Sequence, residues 1–261
     1  MNKIELASMI KSNRPDDLKE WADYYLAIGF EKITIYDNES TFSVKDLFAD
    51  YKNIEVKIVK SDIDFTTYAQ NLYTATCNEK KEQTEWIAFF DDDEYLYLKN
   101  NRNIYEILDE NLLSQSFYWK FLSSNIVLDH RDFTAIDTFN YNSLFTPCNN
   151  QAHVKTMINL NKNSNIKWSS VHLPTINGKK RSHDINKKEI NRESMPINNT
   201  FYDSQSAILY HYFHKSYEDW LFKVKRNPTY TNSREKFEQE IIGKYIILDN
   251  SMIEKKKELG I

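Results

Sequence analysis

Glycine is scarce in this chain: Gly29, Gly178, Gly243 and Gly260 are the only four in 261 residues. None belongs to a G-x-G-x-x-G or G-x-x-x-x-G-K run, which excludes a glycine-rich loop as a phosphate cradle. The two cysteines, Cys77 and Cys148, are too few for a disulfide framework or a zinc-ligand pattern, and this fits a reducing compartment. No stretch approaches the ~18 consecutive apolar residues of a membrane span, and the first residues form no apolar signal segment. The chain therefore reads as soluble and intracellular. With a net charge of −4 it also lacks the basic excess that a broad nucleic-acid surface needs. What it does have is 41% hydrophobic and 14% aromatic residues, enough to bury the core of one large domain, or of one domain with a C-terminal elaboration.

The most informative segment is an apolar run, Trp86-Ile87-Ala88-Phe89-Phe90, that ends in Asp91-Asp92-Asp93-Glu94-Tyr95. Clustered carboxylates at the end of a buried strand repel one another and call for a counter-charge. A divalent ion would supply it, and an ion held by paired carboxylates is a common grip on a diphosphate. With a glycine loop excluded, this is the main route left to a nucleotide.

The first half alternates strand and helix. Ile4 to Ile10 predicts a first strand. Pro15 opens a helix whose buried face is Leu18, Trp21, Ala22, Tyr25 and Leu26, with Gly29 as its stop. Ile33 to Tyr36 and Ile54 to Val59 predict further strands, and Asp64 to Lys81 a helix with Tyr68, Leu72 and Ala75 on one side. Glu85 to Phe90 is continuously apolar, so a central strand buried on both faces is expected. This order argues for a mostly parallel α/β sheet flanked by helices, with ligands at the carboxyl ends of the strands, where Asp37 and Asp91 both fall. The second half is less regular. Phe117 to Phe121, Asn125 to Leu128 and Ala207 to His214 suggest strands. Phe139 to Asn199 suggests long loops with short strands that form an acceptor surface. Ser216-Tyr217-Glu218-Asp219 resembles a capping box that opens a helix through Arg226. Glu238 to Leu259 reads as helical, weakened near Gly243.

Taken together, these segments resemble GT-A glycosyltransferases of the family 2 type, close to family 92 and to subgroup 4 of family 2. The resemblance rests on an ordered set of motifs over about residues 8 to 226. The set begins with Lys11-Ser12-Asn13, Glu20-Trp21, Gly29-Phe30 and Ile35-Tyr36-Asp37-Asn38-Glu39-Ser40. It continues through Gln70, Tyr73 and Cys77, the Trp86 to Tyr95 run and Trp119 to Ser124. Its last members are Lys155, His172-Leu173-Pro174 and His211 to Ser216. Arg14, Phe42 and Leu122 depart from the family pattern.

The resemblance implies a GT-A-like, Rossmann-type domain over residues 1–230, with a donor half to about residue 115 and an acceptor half from about 116. Residues 231–261 would be a C-terminal helical extension. It implies metal-dependent, inverting transfer of a sugar from a nucleotide-sugar donor, UDP-linked by expectation, to a hydroxyl of a glycan or lipid-linked acceptor. It gives Asp91, Asp93 and His211 as ligands of Mn²⁺ or Mg²⁺. Strand alternation would point Asp91 and Asp93 the same way and Asp92 opposite. Donor contacts would come from Lys11, Asn13, Asp37, Asn38, Gln70, Asp92, Lys155 and Lys215. Competing roles stay open for several of these: an Asx turn for Asp37-Asn38, core packing for Tyr73 and Trp119, and a structural role for His211. Glu94 is either an orienter of metal-bound water or a salt-bridge partner. The general base is left among Asp129, His130, Asp132 and His172, with Asp132 and His172 put forward. The implied setting is cytoplasmic, with contact at the inner face of a membrane left open. A nucleotidyltransferase, a phosphohydrolase and an inactive glycan-binding relative are the rival readings.

Overall fold

The computed structural model describes residues 3–61, 63–100, 103–143, 151–163, 165–196, 199–226 and 233–261. Strand β1 (Ile4–Ile10) is buried along its whole length. Alternate side chains explain this: Ile4, Leu6 and Ile10 join one apolar cluster, whereas Ala7 and Met9 join a second on the opposite face. Helix α1 (Pro15–Ala27) supplies the first layer. Pro15 sits at its first position, and Asp16 and Asp17 lie in the first turn, where carboxylates suit the helix dipole. Its buried apolar face is Leu18, Trp21, Ala22, Tyr24 and Tyr25; Leu26 lies at the margin. Gly29 follows with φ +102, and a Cβ there would fall 2.4 Å from the Asn103 side chain, so the stop requires glycine.

Strand β2 (Lys32–Asp37), the short helix α2 (Val44–Leu47) and strand β3 (Ile54–Ile58) follow. Helix α3 (Phe65–Lys80) is capped by Asp64, whose side chain accepts from the Thr67 amide. Its buried face is Ala69, Tyr73, Thr76, Cys77 and Lys80; of the expected face, Tyr68 and Leu72 are half-buried against the same cluster and Ala75 is exposed. The helix is turned by about one residue because Tyr73 stacks on Phe89, ring centres 4.3 Å apart. Strand β4 (Trp86–Phe89) is buried throughout. The strands β3-β2-β1-β4 run in that order and are all parallel, so the expected parallel half is present.

Strand β5 (Glu94–Leu98) and the ten-residue β6 (Ser114–Ser123) come next. Residues 125–128, expected as a strand, form a bend and irregular chain instead. A helical turn α4 (Ala135–Thr138) precedes strands β7 (Tyr141–Ser143) and β8 (Gln151–Asn159). Strand β8 corrects the expectation of loops: it lies between β4 and β6, antiparallel to both. Short strands at Ser182–His183 and Glu189–Ile190 extend that edge.

The strand Ala207–His211 lies between β5 and β6. The capping box is present, with Ser216 Oγ accepting from the Asp219 amide at 3.3 Å and Asp219 accepting from the Ser216 amide at 3.2 Å, ahead of the helix Tyr217–Arg226. The predicted helix from Glu238 is instead a helix Arg234–Ile241, a strand Tyr245–Leu248 paired with β7, and a helix Ser251–Leu259. Gly243, at φ +73, separates the first two. The expected boundary at residues 230–231 and Cys148 lie outside the described residues.

Candidate active site

Asp91, Asp92 and Asp93 occupy the turn between β4 and β5, so strand alternation does not govern their side chains, and Glu94 opens β5. The start of β5, directly after this turn, is anchored from beneath. Trp21 Nε1 and the Tyr25 hydroxyl donate to the Glu94 carbonyl at 3.2 and 3.0 Å, and the Tyr24 hydroxyl donates to the Leu96 carbonyl at 2.8 Å. The aromatic face of α1 therefore fixes where the acids stand.

Asp91 and Asp93 face different partners. Asp91 Oδ2 accepts from the Lys155 ammonium at 2.8 Å, and that lysine, on β8, is fully buried. The same ammonium lies 3.6 Å from Glu94 Oε2, which also accepts from the Asp91 amide at 2.8 Å. Asp93 is 13% exposed at its side chain, with Oδ1 3.3 Å from His211 Nε2 and Oδ2 3.2 Å from the Lys223 ammonium. Lysines 155 and 223 thus supply counter-charge that the sequence alone assigned to a divalent ion. Asp92, expected to point away, lines the same cleft as Asp93.

The electrostatics follow from these contacts. Burial pushes the Asp93 carboxyl up, but Lys223, His211 and Lys215 together hold it well below the usual carboxylate range. Burial pulls the His211 imidazole down against the opposing pull of Asp93. Glu94 is raised well above an ordinary glutamate, because burial and its acidic neighbours outweigh Lys155. The Lys155–Glu94 approach is therefore weaker than a fully charged pair, and Asp91 is the main partner of that lysine. Burial, followed by Lys155 and His153, holds His172 well below the usual histidine value.

The cleft is lined by Lys11, Ser12, Asn13, Arg14 and Asp17 from the β1–α1 junction, by Asp92 and Asp93, and by Phe213, Lys215, Asp219, Phe222 and Lys223. It lies beyond the carboxyl end of β1. Lys11, Asn13, Asp92 and Lys215 of the predicted donor contacts are thus gathered there, with Asp93. Lys155 stands beneath, on Asp91. Asp37 Oδ1 accepts from the Ser40 amide at 3.0 Å, and Asn38 exchanges hydrogen bonds with Ser61 across to the end of β3. These are turn contacts at the carboxyl end of β2. Gln70 is half-buried on α3, and Tyr73 is packed in the core against Phe89 and Trp168.

Of the predicted metal set, Asp93 and His211 come together. Among the described residues no group of three or more His, Cys, Asp or Glu is gathered as a metal-holding set. The Asp93–His211 pair nevertheless fits one: a carboxylate oxygen and an imidazole nitrogen 3.3 Å apart are near the spacing of neighbouring ligands on an ion with ~2.1 Å bonds. Such an ion would take its remaining ligands from the donor.

The candidate bases separate. Asp132 and His130 are exposed on the loop after β6, and Asp129 pairs with Arg234. His172 lies with its ring centre 5.0 Å from that of Trp119, which also packs against His211 and His153. His172 Nδ1 is 3.1 Å from the Val154 carbonyl, so this nitrogen carries the proton and Nε2 keeps its lone pair.

The model of glycosyltransferase family 92 matches residues 7–246, a span that holds every residue of this cleft. The chain belongs to glycosyltransferase family 92. Two family 92 proteins resemble it: one of Ricinus communis, 24% identical over 101 residues, and one of Oryza sativa subsp. japonica, 23% identical over 96. Those stretches cover 39% and 37% of this chain, and only 17% and 16% of the relatives' own lengths. Among solved structures, a fragment of S. aureus TarS is 13% identical, with a TM-score of 0.36 over 60% of this chain and 47% of its own. The galactosyltransferase LgtC, solved with donor and acceptor sugar analogs, gives 13%, a TM-score of 0.33, and 60% and 58% coverage.

Three parts of this candidate site escape a sequence reading: Lys223, His153 and Arg131. Arg131 holds Asp17 through both guanidinium ends and Asp219 through Nε, tying α1 to the Tyr217–Arg226 helix across the cleft floor. One signal for Lys223 was present: it stands four residues after Asp219, so both occupy one helix face.

Proposed function

We propose that this protein transfers a sugar from a nucleotide-sugar donor, UDP-linked by preference, to a hydroxyl of a glycan or lipid-linked acceptor, with inversion and with Mn²⁺ or Mg²⁺. The observation that carries this reading is the cleft itself: an ionised Asp93 beside His211, facing Lys11, Arg14 and Lys215 at the carboxyl end of β1. The donor's diphosphate lies among these cations, and its leaving charge is stabilised without a glycine loop. Asp93 and His211 would hold a divalent ion, which would supply Lewis-acid stabilisation of that charge.

The remaining work falls to side chains. Lys155 keeps Asp91 fixed, and the Trp21, Tyr24 and Tyr25 contacts hold the start of β5, so the backbone that carries Asp93 stays in place when the donor binds. Trp119 offers an aromatic surface to a sugar ring. His172, with Nδ1–H directed to the Val154 carbonyl, presents Nε2 to accept the proton of the attacking hydroxyl. Asp132 is the alternative base and lies further toward solvent. No helix among the described residues is long and apolar enough to cross a membrane. A cytoplasmic setting, with a lipid-linked acceptor met at the membrane face, belongs to this reading.

A thermal-shift panel of nucleotide sugars with Mn²⁺ tests the donor. One nucleotide sugar is expected to raise the melting temperature above the rest, because a ligand that binds only the folded chain stabilises it by mass action. A panel in which no nucleotide sugar shifts the transition overturns the reading.

A further inference from the structure

Lys223 lies on the one carboxylate that the metal-dependent reading needs. Its ammonium donates to Asp93 Oδ2 and to the Phe213 carbonyl, each at 3.2 Å, and sits 3.9 Å from the centre of the Phe213 ring. The other oxygen of Asp93 faces His211. Asp93 therefore already has a cation on it, in a place where its side chain is 13% exposed. A divalent ion seated on the Asp93–His211 pair would share that carboxylate with the ammonium. Two cations on one largely buried carboxylate repel far more strongly than they would in water. That repulsion favours displacement of the ammonium when an ion arrives.

Lysine is a point charge on a flexible stem, so the ammonium can move where a rigid group could not. The cleft offers it a destination. Lys223 lines it together with Lys11, Asn13, Arg14 and Lys215, where the donor's diphosphate would lie under the proposed function. A diphosphate entering there brings more negative charge than Asp93 holds.

We propose that Lys223 is a ligand of the donor's diphosphate that serves as the stand-in cation of Asp93 while the donor is absent. When a diphosphate enters, the ammonium moves from Asp93 to a phosphate oxygen, and Asp93 and His211 become available to the divalent ion. Ion and donor then bind as an ordered pair: the ion alone competes with Lys223, and the ion with the diphosphate does not. This inference rests on the metal-dependent reading above.

The test is Mn²⁺ binding, followed through the magnetic-resonance signal of the free ion, with and without UDP. It compares the wild type with Lys223→Gln, Lys223→Arg and Asp93→Asn, each checked for folding by circular dichroism. Wild type is expected to bind Mn²⁺ weakly alone and at least about tenfold more tightly with UDP. Lys223→Gln should bind Mn²⁺ alone about tenfold more tightly than wild type, and Lys223→Arg, which keeps the charge, should stay weak. If Asp93→Asn abolishes Mn²⁺ binding while Lys223→Gln matches wild type without UDP, the role of Lys223 is overturned and the metal site stands. If Asp93→Asn leaves Mn²⁺ binding unchanged, the metal site and this inference fall together.

Discussion

Replacing Arg131 by methionine removes a guanidinium that ties the β1–α1 end of the cleft to the Tyr217–Arg226 helix. Arg131 is 1% exposed at its side chain, and its partners Asp17 and Asp219 are 5% and 10% exposed. It also donates to the Phe133 carbonyl at 2.9 Å, so three chain segments meet on it. Methionine fills a similar volume but leaves two largely buried carboxylates without their shared guanidinium: Asp17 keeps the Lys215 ammonium at 3.4 Å and the Ala135 amide, and Asp219 keeps the Ser216 amide and hydroxyl. Breaking a buried pair by removing one partner costs about 3–5 kcal/mol. At about 2–4 °C per kcal/mol for a chain of this size, the melting temperature should fall by about 6–20 °C. The pH dependence has a definite sign. Burial pushes both carboxyls up, but Lys215 and Arg131 outweigh it, so both lie below their ordinary values in the folded state. A depressed carboxylate contributes stability that is full above its unfolded value, about 3.9, and is lost as the pH falls through the folded one. Urea unfolding of wild type and Arg131→Met at pH 7, 5, 4 and 3 should therefore show a wide gap at pH 7 and 5 that narrows below pH 4. A loss under about 1 kcal/mol at pH 7, or a gap that stays constant down to pH 3, refutes the reasoning.

Two further outcomes are expected. Gly29→Ala puts a Cβ at φ +102 and against the Asn103 side chain, and should cost about 1–2 kcal/mol in chemical denaturation; an unchanged midpoint would show that the turn tolerates a side chain. Burial pushes the Cys77 thiol up to about 12, so at pH 8 only about one thiol in ten thousand is thiolate. Iodoacetamide should leave the Cys77 peptide unmodified in the folded chain and label it in urea, as read by mass spectrometry, and rapid native labelling would contradict its placement in the core.

The parallel half of the fold was legible because its strands are apolar and its helices carry one buried face. β8 was not. Lys155 and Thr156 are buried polar residues, and His153 packs against Trp119 and His172, so a strand at the centre of the sheet reads as a polar loop. Burial of a lysine is visible only once Asp91 is known to lie 2.8 Å away. The acid run was legible as a motif, but its geometry was not. Its three aspartates sit in a turn, and which acid meets which cation depends on β8 and on the Tyr217–Arg226 helix, distant in sequence. The C-terminal segment misled for a local reason: its helix-forming residues span Gly243 and a strand that exists only because β7 is there to pair with it.

The central claim is that Asp93 works at the bond between a sugar and a nucleoside diphosphate. The most direct measurement is release of nucleoside diphosphate from the preferred nucleotide sugar in the presence of acceptor, comparing wild type with Asp93→Asn at matched folding. Wild type should release the diphosphate, and Asp93→Asn should lose about 10²–10³-fold in turnover, the size expected when one charge-stabilising group is removed. Full turnover in Asp93→Asn, or release of monophosphate or pyrophosphate in place of the diphosphate, would contradict the account.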